Sequence, residues 1–232
     1  LAPKGLGIIE SFKKIKKETK KQIKVTCPGP LTLSNHLNPT EEYNDIKEIE
    51  HDLSKIINDE LRELVSLGAE FIQIDEPSYT MQNATRQKEW TELLNKTISG
   101  INSKIALHIC FGNRYGRPVT SDRSYEKLFP QILDANVDQF VLEFANRQMS
   151  EIDIWKRKNI DRELGAGIID VKSATPENIN QIINRINLIL KYVKPDNLYL
   201  NPDCGFWETP RWLAIEKMSN MVQAVKHIRS KL

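Results

Sequence analysis

The sequence predicts an α/β fold of the (β/α) barrel class, on three observations. Six short apolar runs rich in β-branched residues end in polar or turn residues, the pattern of strands buried on both faces. Between them lie longer polar segments with helical spacing, suited to crossover helices. The run centres, near residues 25, 73, 107, 141, 168 and 200, are separated by 48, 34, 34, 27 and 32 residues. Those intervals are close to the ~30 residues of a repeating parallel βα unit, which favours a barrel over a doubly wound sheet.

Taken in order, residues 7–24 predict a helix that feeds the first strand, with the basic stretch Lys13–Lys24 as its solvated face. The strands are then IKVTCPG (23–29), FIQIDEP (71–77), KIALHICFGN (104–113), QFVLEFAN (139–146), LGAGIIDVKS (164–173) and LYLNPDCGF (198–206). Asn38-Pro39-Thr40-Glu41-Glu42 predicts a helix start. The stripe Ile46, Ile49, Leu53, Ile56, Ile57, Leu61 and Leu64 follows it, and Leu67-Gly68-Ala69 marks the stop. Thr175-Pro176-Glu177 predicts another start, with Pro in the first turn. A closed barrel of this type needs eight strands and commonly ~250 residues. The expectation is therefore one catalytic barrel domain over residues 1–232 that lacks its first one or two βα units.

Composition excludes several classes. The chain has 232 residues, 40% hydrophobic and 28% charged, enough for a large core and against intrinsic disorder. Thirty-three basic and 31 acidic residues leave a formal charge of +2, which makes no electrostatic case for nucleic acid. No apolar run reaches the ~18 residues that span a bilayer, and LAPKGLGIIE lacks a signal layout, so no membrane partner is expected. Three cysteines are too few for a disulfide framework and suit free thiols in a reducing compartment, so the protein is expected in the cytoplasm.

In parallel α/β folds the site lies at the carboxyl ends of the strands. That rule selects Cys27, Asp75, Glu76, His108, Cys110, Glu143, Asn146, Asp170, Lys172, Asp203 and Cys204. His108 and Cys110 form H-x-C, whose spacing of two puts both side chains on one face of a strand. With Glu143 and Cys204 they are S, N and O donors of the kind that hold Zn²⁺. Each also has a plainer role: a hydrogen-bonded core histidine, a small buried thiol, or a carboxylate paired with a cation.

The blocks CPGPLTLSN (27–35), QIDEP (73–77), HICFGN (108–113), LEFAN (142–146), GAGIIDVKS (165–173) and NPDCGF (201–206) resemble, in order and spacing, the C-terminal catalytic barrel of the cobalamin-independent methionine synthase family and its shorter relatives. The resemblance implies a catalytic zinc on His108, Cys110, Glu143 and Cys204, and Asp75, with Glu76 beside it, binding the amino acid substrate, homocysteine. A Zn²⁺-bound thiol is deprotonated yet stays a soft nucleophile.

Two positions depart from the family pattern. Lys172 stands where the family has a proton-donating His, and Lys is a poor general acid unless burial pulls its pKa well below ~10.4. His36 stands where the family has the Trp that covers the pterin, a smaller platform at a position expected to meet substrate. Both point away from a folate donor and toward a methylated corrinoid, free or on a carrier protein. Two alternatives remain. One is a zinc-dependent thiol alkyltransferase of the epoxyalkane–coenzyme M transferase type, with Arg114 and Arg117 holding an anionic group. The other is a non-catalytic zinc-bearing scaffold.

Overall fold

A computed structural model describes residues 1–231. The chain divides into two compact units, residues 1–109 with 127–138, and residues 110–126 with the chain from Gln139 onward.

The first unit opens with α1 (Ile8–Glu18), which buries Phe12 and leaves Lys14, Lys16 and Lys17 in solvent. The helix stops short of the predicted Lys24, and the residues after it lead into β1 (Lys24–Pro28). Its N-cap, Gly7, has no side chain to offer. Glu60 of the neighbouring helix α3 (Ile46–Ser66) supplies the missing acceptor, taking the backbone N–H groups of Leu6 and Ile8. The apolar stripe of α3 is buried at Ile49, Leu53, Ile57, Leu61 and Leu64, as its spacing required. Its start differs from expectation. Residues 38–42 lie in the preceding loop, and the cap is Asp45, whose carboxylate accepts from Lys47 N at 3.2 Å. Its end is as read: Gly68 adopts φ +89° and donates to Val65 O at 2.8 Å.

Three strands of this unit, β1, β2 (Phe71–Asp75) and β3 (Lys104–Ile109), pair in parallel. The register aligns Pro28, Asp75 and His108 at the carboxyl ends. At the other end, the ammonium groups of Lys24 and Lys104 lie 4.7 and 4.9 Å from the Phe71 ring centroid. The short helix α2 (Pro30–Ser34) follows β1, and α4 (Ala84–Thr97), capped by the Asn83 side chain, follows β2.

In the second unit β4 (Gln139–Glu143), β5 (Glu163–Ile169) and β6 (Leu198–Pro202) are also parallel. All of β4 and nearly all of β5 is buried, in line with their unbroken apolar runs. β6 departs from that expectation, being half-exposed with Tyr199 open to solvent. After β4 comes the one-turn helix α5 (Ile154–Arg157), and after β5 comes α6 (Ile179–Ile189). The predicted start of α6 at Thr175 is displaced: Asn178 caps the helix in a reciprocal capping box with Gln181. Glu177 instead turns inward to the buried Lys217 of α7 (Arg211–Arg229) and to Arg185, at 3.0 Å each. Chain order is also strand order. Among the described residues no helix is long and apolar enough to cross a membrane.

Candidate metal centre

Glu143 is the last residue of β4 and is fully buried. Its backbone N–H donates to the hydroxyl of Tyr125 at 2.8 Å, and the Tyr125 ring lies 4.7 Å from that of Phe111. The Arg147 guanidinium, paired with Glu151, stands 4.9 and 5.0 Å from the Phe111 and Tyr125 centroids. This packing holds the end of β4 from which Glu143 projects. One oxygen, Oε2, accepts from Lys172 Nζ at 2.9 Å and from Phe111 N at 3.4 Å. The other, Oε1, is buried with no hydrogen-bond partner among the described residues.

Cys110 is the first residue past β3, and Gly112 turns the chain there at φ +80°. Cys110 Sγ accepts from Gly112 N at 3.3 Å and stands 3.8 Å from Cys204 Sγ. One candidate ligand atom each from His108, Cys110 and Cys204 lies within 4.8 Å of the other two. Hydrogen bonding to Cys204, burial, and the charges on Cys204 and Glu143 hold the Cys110 thiol well above its ordinary pKa. A divalent cation would invert that balance, because it favours the thiolate. His108, Cys110 and Cys204 thus bring together one imidazole and two sulfurs, donors of the kind that fit Zn²⁺, while Glu143, with its Oε1 unpartnered among the described residues, is not one of that group.

Asp203, one residue before Cys204, ties these parts together. Its Oδ1 accepts from Phe144 N and Ala145 N at 2.9 Å each, and its Oδ2 from Asn146 N at 2.7 Å. The loop after Glu143 is thereby tethered to the residue beside Cys204. Gly167 of β5 leaves the room for it, since a Cβ there would fall 2.4 Å from Asp203 Oδ1. Burial and the charge on Glu143 push the Asp203 carboxyl up to about 8, against the three N–H bonds that favour its ionised form.

Asn146 passes the order on, donating through Nδ2 to both Asp170 oxygens at 3.1 and 3.0 Å. Asp170 Oδ1 accepts from Lys172 N at 2.9 Å. Lys172 is therefore held with its side chain 2% exposed against Glu143. Burial opposes its charge, but the charge and hydrogen bond of Glu143 outweigh burial and raise its pKa. The condition under which Lys172 would serve as a proton donor, a pKa pulled down by burial, is not met.

The other residues singled out in sequence belong to the first unit. Asp75 ends β2 half-buried, with Gln73 Nε2 donating to its Oδ1 at 2.7 Å. No side chain caps the 3₁₀ turn Pro77–Met81 that follows, so Asp75 does not serve as its cap. Glu76 is buried and occupied by the loop after β1, accepting from Leu31 N, Thr32 N and Thr32 Oγ1 at 3.1, 2.9 and 2.6 Å. Burial pushes it up to about 8 despite those bonds. His36 is exposed after α2, and Cys27 is fully buried with its thiol pushed far above the usual range by desolvation.

The chain matches the family model described as the cobalamin-independent synthase catalytic domain over residues 8–227. It belongs to that family. Relatives called methionine synthase include those of Sulfurisphaera tokodaii, 36% identical over 212 residues, and Pyrococcus horikoshii, 36% identical over 226 residues. The matches cover 90% and 97% of this chain but 58% and 63% of those relatives, so the chain spans about three fifths of their length. A solved B12-independent methionine synthase from Shewanella sp. W3-18-1, in complex with selenomethionine, superposes with a TM-score of 0.87 at 26% identity. It covers 98% of this chain and 68% of that one. The six parallel strands are thus those of a partial (β/α) barrel of the cobalamin-independent synthase type, as the strand spacing predicted.

Proposed function

We propose that this chain carries the zinc centre of a methyltransferase that moves a methyl group onto the thiol of homocysteine, giving methionine. The observation that carries the reading is the pair of sulfurs 3.8 Å apart, grouped with the His108 imidazole within 4.8 Å. His108, Cys110, Glu143 and Cys204 would hold the metal, and Zn²⁺ bound there supplies a thiolate nucleophile at neutral pH. The chain's own residues do the rest. Lys172 holds the Glu143 carboxylate through its Oε2, Asp203 holds the loops that carry Glu143 and Cys204 together, and burial shields the Cys110 sulfur from water. Asp75 is assigned to the substrate ammonium through a charge-assisted hydrogen bond. Glu76 and His36 belong to the substrate-facing rim in this reading, with Glu76 acting through the loop that it holds.

The methyl donor is a methylated corrinoid, free or on a carrier protein. A departing folate nitrogen needs a proton, and Lys172 is an ammonium committed to Glu143. The protein works in the reducing cytoplasm, where its thiols stay free. The test is turnover of homocysteine by metal-loaded protein with methylcobalamin and methyltetrahydrofolate offered in parallel. Methionine from the corrinoid alone is expected, and product from the folate alone would reject the donor assignment.

A further inference from the structure

The two loops that carry Cys110 and Cys204 run outward side by side, and their contacts form a ladder. The sulfurs stand 3.8 Å apart, Asn113 Nδ2 donates to Gly205 O at 3.3 Å, and the rings of Tyr115 and Trp207 meet at 5.7 Å between centroids, tilted by 32°. The last rung is in solvent, with Tyr115 66% and Trp207 61% exposed. The tip that holds Tyr115 is a tight turn rather than a loose loop. Arg114 and Arg117 exchange backbone hydrogen bonds of 2.7 and 3.0 Å, Gly116 N donates to Asn113 Oδ1 at 3.2 Å, and Tyr115 and Gly116 adopt φ +52° and +75°. Neither Arg114 nor Arg117 makes a side-chain hydrogen bond or ion pair among the described residues.

Two large aromatic rings held together in water are an exposed apolar surface of the kind that marks a binding site. Here Arg114 and Arg117, both exposed, pair through their backbones in the turn that carries Tyr115, and the ring pair stands at the outer end of the loops whose inner ends hold the sulfurs. A ligand that fits has a broad conjugated ring, to lie against the aromatic pair, and an anionic appendage for the arginines. We propose that Tyr115 and Trp207, with Arg114 and Arg117, bind the methyl donor, and that the occupant is a corrinoid whose ring edge rests on the aromatic pair and whose tail phosphate meets the arginines. This rests on the thiol-methylation reading above and adds the residues that select the donor.

Equilibrium dialysis of methylcobalamin against the zinc-loaded protein, read by absorbance, tests it. Trp207→Ala and Tyr115→Ala should each raise the dissociation constant about 3- to 10-fold, the range expected for one lost ring contact. The double variant Arg114→Ala/Arg117→Ala should weaken binding and flatten its dependence on salt. Trp212→Ala, an equally exposed tryptophan on α7, should leave binding unchanged, and all variants should keep the zinc content and homocysteine affinity of the parent. An unchanged constant in Trp207→Ala and Tyr115→Ala overturns the proposal, as does a parent protein that does not bind methylcobalamin. Loss of methyltetrahydrofolate binding in the same variants, with corrinoid binding unaffected, also overturns it. If zinc and homocysteine binding persist through those outcomes, only this inference fails. A parent that binds zinc but no thiol sinks the methylation reading instead.

Discussion

Replacing Lys172 by Met separates a buried ion pair from an incidental contact. The Lys172 ammonium donates to Glu143 Oε2 at 2.9 Å, and the two side chains are 2% and 0% exposed. Removing one partner of such a pair strands a buried charge and typically costs about 3–5 kcal/mol. For a chain of this size, where each kcal/mol moves Tm by about 2–4 °C, the metal-free variant should melt about 6–20 °C lower. In the proposed reading, Zn²⁺ held by the same carboxylate would replace the missing positive charge. The zinc-induced rise in Tm should therefore be larger in Lys172→Met than in the parent, because the metal-loaded variant recovers part of the loss.

The pH dependence follows from the direction of the Lys172 shift. Its pKa is raised in the folded state from 10.5, so the pair contributes fully below that pH and is lost only as pH rises through the higher folded value. The contribution of Lys172 to the parent should accordingly be flat from pH 6 to 9. Calorimetry of metal-free and zinc-loaded proteins across that range is the assay. A metal-free Tm unchanged to within about 1 °C, or an equal zinc response, would refute the reasoning.

Three further outcomes are expected. Cys204→Ala should lose stoichiometric zinc, measured by metal analysis after gel filtration, while far-UV circular dichroism stays that of the parent, since Cys204 lies beyond the end of β6. Gly167→Ala should be destabilised by about 1–3 kcal/mol or more in urea, because its Cβ would meet Asp203 Oδ1 at 2.4 Å and Asp203 Cα at 2.8 Å. Glu76, pushed from 4.5 up to about 8 by burial, favours the folded state when neutral. That stability is complete below pH 4.5 and declines as pH rises to about 8, by up to about 5 kcal/mol. Glu76→Gln stays neutral, so urea titrations should show it gaining on the parent between pH 5 and pH 8. Parallel pH profiles for the two proteins would contradict the assignment.

The strands were legible because each is a short, unbroken apolar run with a polar residue at its carboxyl end, and the structure trims the readings by only a few residues at their ends. The stripe of α3 was legible for the same reason, from its steps of three and four. Helix starts were less so. Thr40 and Thr175 have the chemistry of caps, but the chain reaches the α3 and α6 axes only at Asp45 and Asn178. Of the centre itself, sequence could single out the thiols and the Glu143 carboxylate by position on the strands. It could not reveal that Lys172 ends on Glu143, or that Tyr125 and Asp203 orient the site, because those contacts join residues 18 to 59 positions apart. The partners of Glu76 were hidden for a related reason. Its place at a strand end suits substrate contact, while its oxygens are taken by Leu31 and Thr32.

The most direct measurement is zinc K-edge X-ray absorption on the metal-loaded protein. The account predicts two sulfur scatterers near ~2.3 Å and two nitrogen or oxygen scatterers near ~2.0 Å, with a third sulfur appearing when homocysteine is added. A first shell of light atoms only, or one sulfur, would show that Cys110 and Cys204 do not share an ion and would contradict the account.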